Sequence, residues 1–131
     1  MKRLTACVVL VVLALLTAPA TATAAVPAPT SDFSGSWTNV GSVVGTLTWY
    51  GRSVGVNGAV NDYETAGSTT AIFEFRQGDV LLDVQTRTAS NGTKGFGWTE
   101  PGPPGGITKV DIYLSHNDQE HFIASVPFKP E

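Results

Sequence analysis

Cysteine is almost absent from this chain, with Cys7 the only one among 131 residues. One cysteine cannot form an internal disulfide, which many small exported domains use to offset a limited core. The fold must therefore depend on buried apolar side chains. Beyond Cys7, the chain also has no cysteine to act as a catalytic nucleophile.

Charge is scarce as well, because Asp, Glu, Lys and Arg make up only 15% of the residues and the net charge is −3. Nucleic-acid-binding domains and anionic membrane surfaces call for clustered basic residues, and no such cluster occurs here. We therefore expect no nucleic-acid partner.

Long apolar runs are limited to one, Val8–Leu16, which follows Lys2 and Arg3. The small residues of Thr17–Ala25 come next, and this order is typical of a secretory signal peptide. The run is too short to span a bilayer, and Cys7 precedes it, which is the wrong place for a lipid-anchoring cysteine. We predict a signal peptide at 1–24, cleavage after Ala24, and an extracellular protein without membrane attachment.

After the signal, residues 25–32 read as a flexible leader, because Val26–Asp32 alternates proline with small polar residues. Residues 33–131 then form one domain. Its clearest element is Val43–Val60, two runs of period-two alternation joined by Gly51-Arg52. Glycine at the first of two loop positions accepts the positive φ of a type II′ turn, so this segment predicts a β-hairpin. The alternation places Trp49 inward.

Further alternating segments follow, separated by turn residues. Thr70–Arg76 is a strand, and in Asp79–Thr88 the period-two pattern predicts Val80, Leu82 and Val84 as the inward residues. Asn91-Gly92 predicts a type I′ hairpin turn to the next strand, which carries Phe96 and Trp98. Glu100–Gly106 predicts a crossover between sheets.

The last two strands are Ile107–Ser115 and His121–Val126, with Phe122, Ala124 and Val126 on the inward face of the second. Seven or eight short strands in about a hundred residues are typical of an all-β fold. We predict a single antiparallel β-sandwich, either immunoglobulin-like or of the jelly-roll type.

One polar segment, Ser115–His121, holds both histidines and two carboxylates. If His116, Asp118 and His121 converged, they would support a metal-assisted hydrolase. Such loops at strand ends are more often simply solvated, so we expect no metal and no cofactor.

Other catalytic signals are missing from the sequence. It contains no Gly-x-Ser-x-Gly elbow and no glycine-rich phosphate loop. The alternation scatters the carboxylates over different turns and outward faces: Asp62, Glu64, Glu74, Asp79, Asp83, Glu100 and Asp111. This pattern favours a non-catalytic domain.

Exposed aromatic and arginine side chains are the remaining candidates for a site. Tyr50 and Arg52 lie at the hairpin tip, and Tyr113 lies on the outward face of its strand. Such residues anchor protein partners or stack on sugar rings. We expect a domain that binds an extracellular protein or glycan. The alternative is a secreted inhibitor of a hydrolase that acts through the tip Tyr50–Ser53.

The run Trp49-Tyr50-Gly51-Arg52-Ser53-Val54-x-Val56-x-Gly58-x-Val60-x-Asp62, behind an Ala/Thr-rich signal, resembles small secreted β-rich proteins of actinomycetes without an assigned function. The resemblance implies export. More loosely, Trp49, Tyr50 and Arg52 are similar in type to the Trp-Arg-Tyr tip of streptomycete α-amylase inhibitors, in a different order and without disulfides. No residue role follows from that similarity.

Overall fold

The computed structural model describes residues 26–128, so the predicted signal peptide at 1–24 lies outside the described residues. Within them, no helix has the length and hydrophobicity needed to cross a membrane. The regular elements are eight strands: β1 (Thr30–Trp37), β2 (Gly41–Tyr50), β3 (Ser53–Asp62), β4 (Thr69–Gln77), β5 (Val80–Ala89), β6 (Gly92–Glu100), β7 (Lys109–His116) and β8 (Gln119–Pro127).

The strands form two four-stranded sheets that pack face to face, as the predicted β-sandwich requires. The first sheet has the order β1-β2-β3-β6, the second has the order β5-β4-β7-β8, and every pairing is antiparallel. The chain crosses from one sheet to the other after β3, β5 and β6. Placing β3 beside β6 and β4 beside β7 gives the interlocked order of immunoglobulin-like sandwiches, in which strand B neighbours E and C neighbours F.

The core lies between the sheets and is built from the inward faces of the central strands. Leu47, Phe73, Phe75 and Ile112 are completely buried. Trp49 is 3% exposed, which confirms its predicted inward orientation. With no cross-link available to the domain, this continuous apolar layer is its main source of stability.

The central hairpin is confirmed, since Tyr50 pairs with Ser53 across a two-residue loop. Gly51 has φ +80°, whereas Arg52 is not left-handed, which fits the predicted type II′ turn. The tip is not free-standing. Ile107 donates its backbone N–H to the Arg52 carbonyl at 3.4 Å, so the predicted crossover at 100–106 runs against the hairpin.

The predicted leader is wrong in its last three residues, because β1 begins at Thr30 rather than after Asp32. Thr30, Ser31 and Asp32 pair with Thr48, Leu47 and Thr46 of β2. The Trp49 indole also donates to Ser31 Oγ at 3.0 Å. Polar residues suffice here because β1 is an edge strand, which needs a hydrogen-bonding partner on one side only.

Asn91-Gly92 does not close a hairpin, although both residues have positive φ. β5 pairs with β4 in the second sheet and β6 pairs with β3 in the first, so the dipeptide carries the chain between sheets. Its position is held by buried Asp62, whose carboxylate accepts the Asn91 N–H at 2.8 Å and the Thr69 hydroxyl at 2.8 Å. The positive φ of both residues is confirmed, but the predicted type I′ turn and hairpin are wrong, because Gly92 is already the first residue of β6.

Two bulges overturn predicted inward faces. In β5, Leu81 pairs with Arg76 and Asp83 with Phe75, so Leu82 is the extra residue and the alternation reverses after it. Leu82 packs against the core, but Val80 and Val84 are 62% and 42% exposed. In β8, Ile123 is the extra residue opposite Ile112/Tyr113, and it turns Phe122 outward, 54% exposed.

Candidate functional site

The three residues predicted to form a site lie on different surfaces. Tyr50 is on the outer face of the first sheet and is 56% exposed. Arg52 is at the hairpin tip, and Tyr113 is on the outer face of the second sheet. Since the sheets pack through their inner faces, Tyr50 and Tyr113 point away from each other. They cannot contact one small ligand together.

The side chain of Tyr50 lies back over its own hairpin. A Cβ added at Gly55 would be 2.9 Å from Tyr50 Cε2 and 3.5 Å from Thr48 Cβ. The ring therefore covers the bare backbone of Gly55, and glycine is the residue that permits this close approach. The two chain neighbours of Gly55, Val54 and Val56, are both buried in the core. One side of the Tyr50 ring thus rests on a rigid strand, while more than half of the side chain remains open to solvent.

Small polar groups surround this ring. Thr99 pairs with Gly55 on the adjacent strand β6 and is exposed. Asn57 is exposed next along β3, and its amide oxygen lies 2.8 Å from where a Cβ of Gly97 would be. We call the surface formed by Thr48, Tyr50, Gly55, Asn57 and Thr99 the Tyr50 platform. It offers an aromatic ring, hydroxyls and an amide, and no charge.

The rest of the outer face of the first sheet is also polar and nearly uncharged. Among the outward positions of its four strands, Asp32 is the only charged residue, and it accepts a hydrogen bond from Thr46 at 2.9 Å. The other outward positions carry serine, threonine, asparagine, glycine, alanine and one exposed valine, Val44. Such a face suits a neutral ligand rich in hydroxyl groups better than it suits an ion.

Arg52 is held to the sandwich rather than extended from it. Its side chain approaches the Gly102 carbonyl at 3.4 Å, and its backbone carbonyl would be 2.1 Å from a Cβ on Gly102. A Cβ on Gly106 would be 2.7 Å from the Gly51 carbonyl. Two glycines of the crossover therefore allow it to pack directly against the backbone of the tip.

Tyr113 lies in an apolar and charged setting. Its ring meets Phe122 edge-on with centroids 5.5 Å apart. Burial raises the pKa of the Tyr113 hydroxyl, and the nearby carboxylates of Glu74 and Asp111 raise it further. Arg76 Nε lies 3.2 Å from Asp111, at ion-pair distance though not aligned for a hydrogen bond. This side chain is thus part of a second, chemically distinct outer face.

The histidines do not form the arrangement that a metal-assisted hydrolase would need. His116 is buried at the end of β7, where Nδ1 lies 2.8 Å from the Ser68 carbonyl and Nε2 lies 3.2 Å from Glu64. His121 instead stacks on Trp37 with centroids 5.3 Å apart. Asp118 occupies the tight β7–β8 turn at φ +63°. Residues 26–128 contain no group of three or more metal-ligating side chains placed to hold an ion.

A buried carboxyl group at the end of β6 is not predicted from the sequence. Glu100 is only 5% exposed, and its carboxylate accepts the Trp98 indole N–H at 3.2 Å. The prediction that Glu100 lies on a turn or an outward face is therefore wrong. Burial raises the pKa of Glu100 to about 7, and the Asp83 carboxyl contributes to the rise. Glu100 was assigned to the crossover, whereas it is the last residue of β6 and shares the inward parity of Phe96 and Trp98.

An open groove of about 540 Å³ separates the edge strands β1 and β8 on the opposite side of the sandwich. Its lining is mostly small and polar, and several of its polar groups already have partners. Ser125 donates to Asp111 at 2.6 Å, and Ser31 accepts from Trp49 at 3.0 Å. The groove therefore offers few free groups for a ligand, and we place the candidate site on the Tyr50 platform.

Comparison with known proteins does not extend these observations: no family model matches the chain, and neither does any curated protein or solved structure.

Proposed function

We propose that this protein is a secreted, non-catalytic β-sandwich domain that binds an extracellular glycan through the Tyr50 platform. The observation that carries the proposal is the Tyr50 ring, which lies on Gly55 and is 56% exposed. An aromatic ring has a negative face, which attracts the C–H groups on the flat side of a sugar. The hydroxyls of Thr48 and Thr99 and the amide of Asn57 are positioned nearby to bond sugar hydroxyls.

The platform is also preorganised. Its residues lie on three adjacent strands, and Gly55 keeps the Tyr50 ring against the sheet. Rigid side chains lose little conformational entropy on binding, which raises affinity without further contacts. The uncharged surroundings support a neutral polysaccharide over an acidic one.

The test is co-sedimentation of the purified protein with insoluble chitin, cellulose and bacterial peptidoglycan. Tyr50→Ala is expected to weaken binding about tenfold, which corresponds to about 1.4 kcal/mol, while leaving the urea unfolding midpoint unchanged. Tyr63→Ala is the matched control, because Tyr63 is 49% exposed but lies in the β3–β4 loop. Equal losses in the two variants, or no binding to any of the three polymers, would contradict the proposal.

A protein partner on the second sheet is the competing proposal, and it is favoured by exposed Phe122, which packs edge-on against half-buried Tyr113. Tyr113→Ala separates the two, because it should leave glycan binding intact. Arg52→Ala distinguishes glycan binding from the alternative function, inhibition of a hydrolase through the hairpin tip. Contact between the tip and a hydrolase would be lost in that variant, whereas binding by the Tyr50 platform would persist.

A further inference from the structure

Two Asn-Gly dipeptides occur in the chain, and the structure places them in opposite settings. Asn57-Gly58 lies in the middle of β3, whereas Asn91-Gly92 lies where the chain passes from β5 to β6. An asparagine followed by glycine is open to an internal reaction, because glycine has no Cβ to shield its backbone nitrogen from the preceding side chain. The setting of each dipeptide therefore decides whether that reaction proceeds in the folded protein.

The reaction is an attack of the main chain on the asparagine side chain. The glycine nitrogen loses its proton to water and bonds to the asparagine Cγ, while the side-chain NH₂ takes up a proton and leaves as ammonia. The product is a five-membered cyclic imide. Water then opens this ring at one of its two carbonyl carbons, which yields aspartate or isoaspartate. Water is the only co-reactant, but the main chain must turn until the glycine nitrogen reaches Cγ.

The backbone of Asn57-Gly58 is held on both sides. β3 pairs with β2 along one edge and with β6 along the other. A Cβ on Gly58 would be 2.7 Å from Gly45 Cα, so the two strands pass each other at Gly58 with no room between their backbones. A doubly paired strand turns only when it opens, at a free-energy cost close to that of unfolding. Asn57 is exposed, but the nitrogen of Gly58 is kept away from its side chain.

Asn91-Gly92 has an open setting. Asn91 is exposed and left-handed at φ +51°. Around a Cβ built on Gly92, no heavy atom of residues 26–128 other than its chain neighbours lies within 4 Å. Gly92 forms the last pair of the β3–β6 ladder, opposite Asp62, and β6 is the edge strand of its sheet. The end of a ladder opens at low cost, so the Gly92 nitrogen is free to turn towards the Asn91 side chain.

We propose that Asn91 is a site of spontaneous modification, converted to aspartate and isoaspartate in the folded protein, while Asn57 is protected. The change falls on a structural connection. The Asn91 N–H donates to buried Asp62 at 2.8 Å, and the same carboxylate accepts from Thr69 Oγ1 at 2.8 Å. Modification adds a negative charge to the residue that Asp62 binds, and like charges repel. Isoaspartate also lengthens the main chain by one atom, so the connection between the sheets is expected to weaken.

The experiment incubates the purified protein at pH 8, with and without denaturing urea, and follows each asparagine by tryptic digestion and mass spectrometry. Cleavage after Arg87 and Lys94 isolates residues 88–94, in which Asn91 is the only asparagine, and Asn57 falls in the fragment 53–76. In the folded protein we expect the mass increase of amide-to-acid conversion at Asn91. At Asn57 it should be at least about a hundredfold slower, because the central strand must open first. In urea the two rates should be similar.

Asn91→Gly is the matched control, because glycine accepts positive φ and keeps the backbone N–H that binds Asp62. After the same incubation this variant should keep its urea midpoint, whereas the parent protein develops a fraction that unfolds at lower urea. Equal rates at Asn57 and Asn91 in the folded protein, or no mass increase in residues 88–94, would overturn the site. A fully modified parent with an unchanged urea midpoint would overturn the expected effect on the connection.

Discussion

The two outer faces of the sandwich enclose one apolar core and differ in chemistry. The face of the first sheet carries hydroxyls, amides and bare backbone, with Tyr50 as its large exposed ring. The face of the second sheet combines exposed apolar groups, among them Leu81, Val84 and Phe122, with an ion-pair cluster around Asp111. Core packing demands only the inward residues of each strand, so the outward residues are free to differ.

This chemical difference between the two outer faces indicates which kind of ligand each face could bind. The first face has several hydroxyls and one open ring, which favour a hydroxylated ligand. On the second face the charges already bond one another, as Arg76 does with Glu74 at 2.9 Å. What remains there is apolar surface, which favours contact with another macromolecule.

The largest expected effect compares the inner and outer sides of the first sheet at adjacent positions. Trp49→Ala removes a buried ring and should cost about 3–5 kcal/mol of unfolding free energy. Tyr50→Ala removes an exposed ring and should cost less than about 0.5 kcal/mol. Urea unfolding of both variants measures the contrast. Similar losses at the two positions would mean that Tyr50 is a structural residue and not a binding surface.

The second prediction compares one carboxylate from each outer face. Asp111 is 8% exposed and accepts from Ser125 at 2.6 Å, so Asp111→Ala should cost about 1–3 kcal/mol. Asp32→Ala on the first face removes an exposed bond to Thr46, and its cost should stay within about 0.5 kcal/mol. Chemical denaturation at pH 7 tests both, and equal costs would remove the distinction between structural and solvated charge.

The third prediction tests the Tyr50 platform by displacing the Tyr50 ring through a substitution at Gly55. Gly55→Ala places a Cβ 2.9 Å from Tyr50 Cε2, so the ring must move off the sheet, because the backbone of β3 is paired on both sides and cannot give way. Glycan affinity should fall about tenfold, or about 1.4 kcal/mol, with little change in stability. Gly95→Ala is the control, since its Cβ meets only the Gly58 carbonyl at 3.8 Å. Unchanged affinity in Gly55→Ala would argue against the platform.

The smallest effect concerns two exposed valines, Val84 on the second face and Val44 on the first. Replacing either with threonine keeps the shape and should change stability by no more than about 0.5 kcal/mol. Retention on a hydrophobic-interaction column should fall clearly for Val84→Thr, which lies in the apolar face, and only slightly for Val44→Thr. The reverse order would show that the faces had been assigned the wrong character.

Local patterning was sufficient where strands alternate without interruption. The inward placement of Trp49 in β2 was predicted correctly, as was the Gly51 turn, because side-chain direction in a regular strand depends only on parity. The outward placement of Tyr50 followed from the same rule. The position of the Tyr50 ring over Gly55 could not be predicted from parity, because the side-chain rotamer depends on the neighbouring residues across the hairpin.

The wrong predictions for β5, β8 and the Asn91-Gly92 hairpin have causes that local alternation does not reveal. A bulge inserts one residue and reverses parity, as Leu82 and Ile123 do, and neither leaves a periodic signal in its own strand. Asn91-Gly92 likewise favours positive φ but does not determine which sheet receives the next strand, since that depends on β3 and β4, which are distant in sequence. The exposure of Val84 and the exposure of Phe122 both depend on these bulges.

By itself, the sequence determined the all-β class, the inward placement of Trp49 and the overall scarcity of charge, because these follow from local alternation and composition. Only the tertiary structure decided the order of strands in the two sheets, the separation of Tyr50 from Tyr113 and the low charge of the outer face of the first sheet. Those features come from contacts between segments far apart in the chain, which form when both sheets bury their apolar faces against each other.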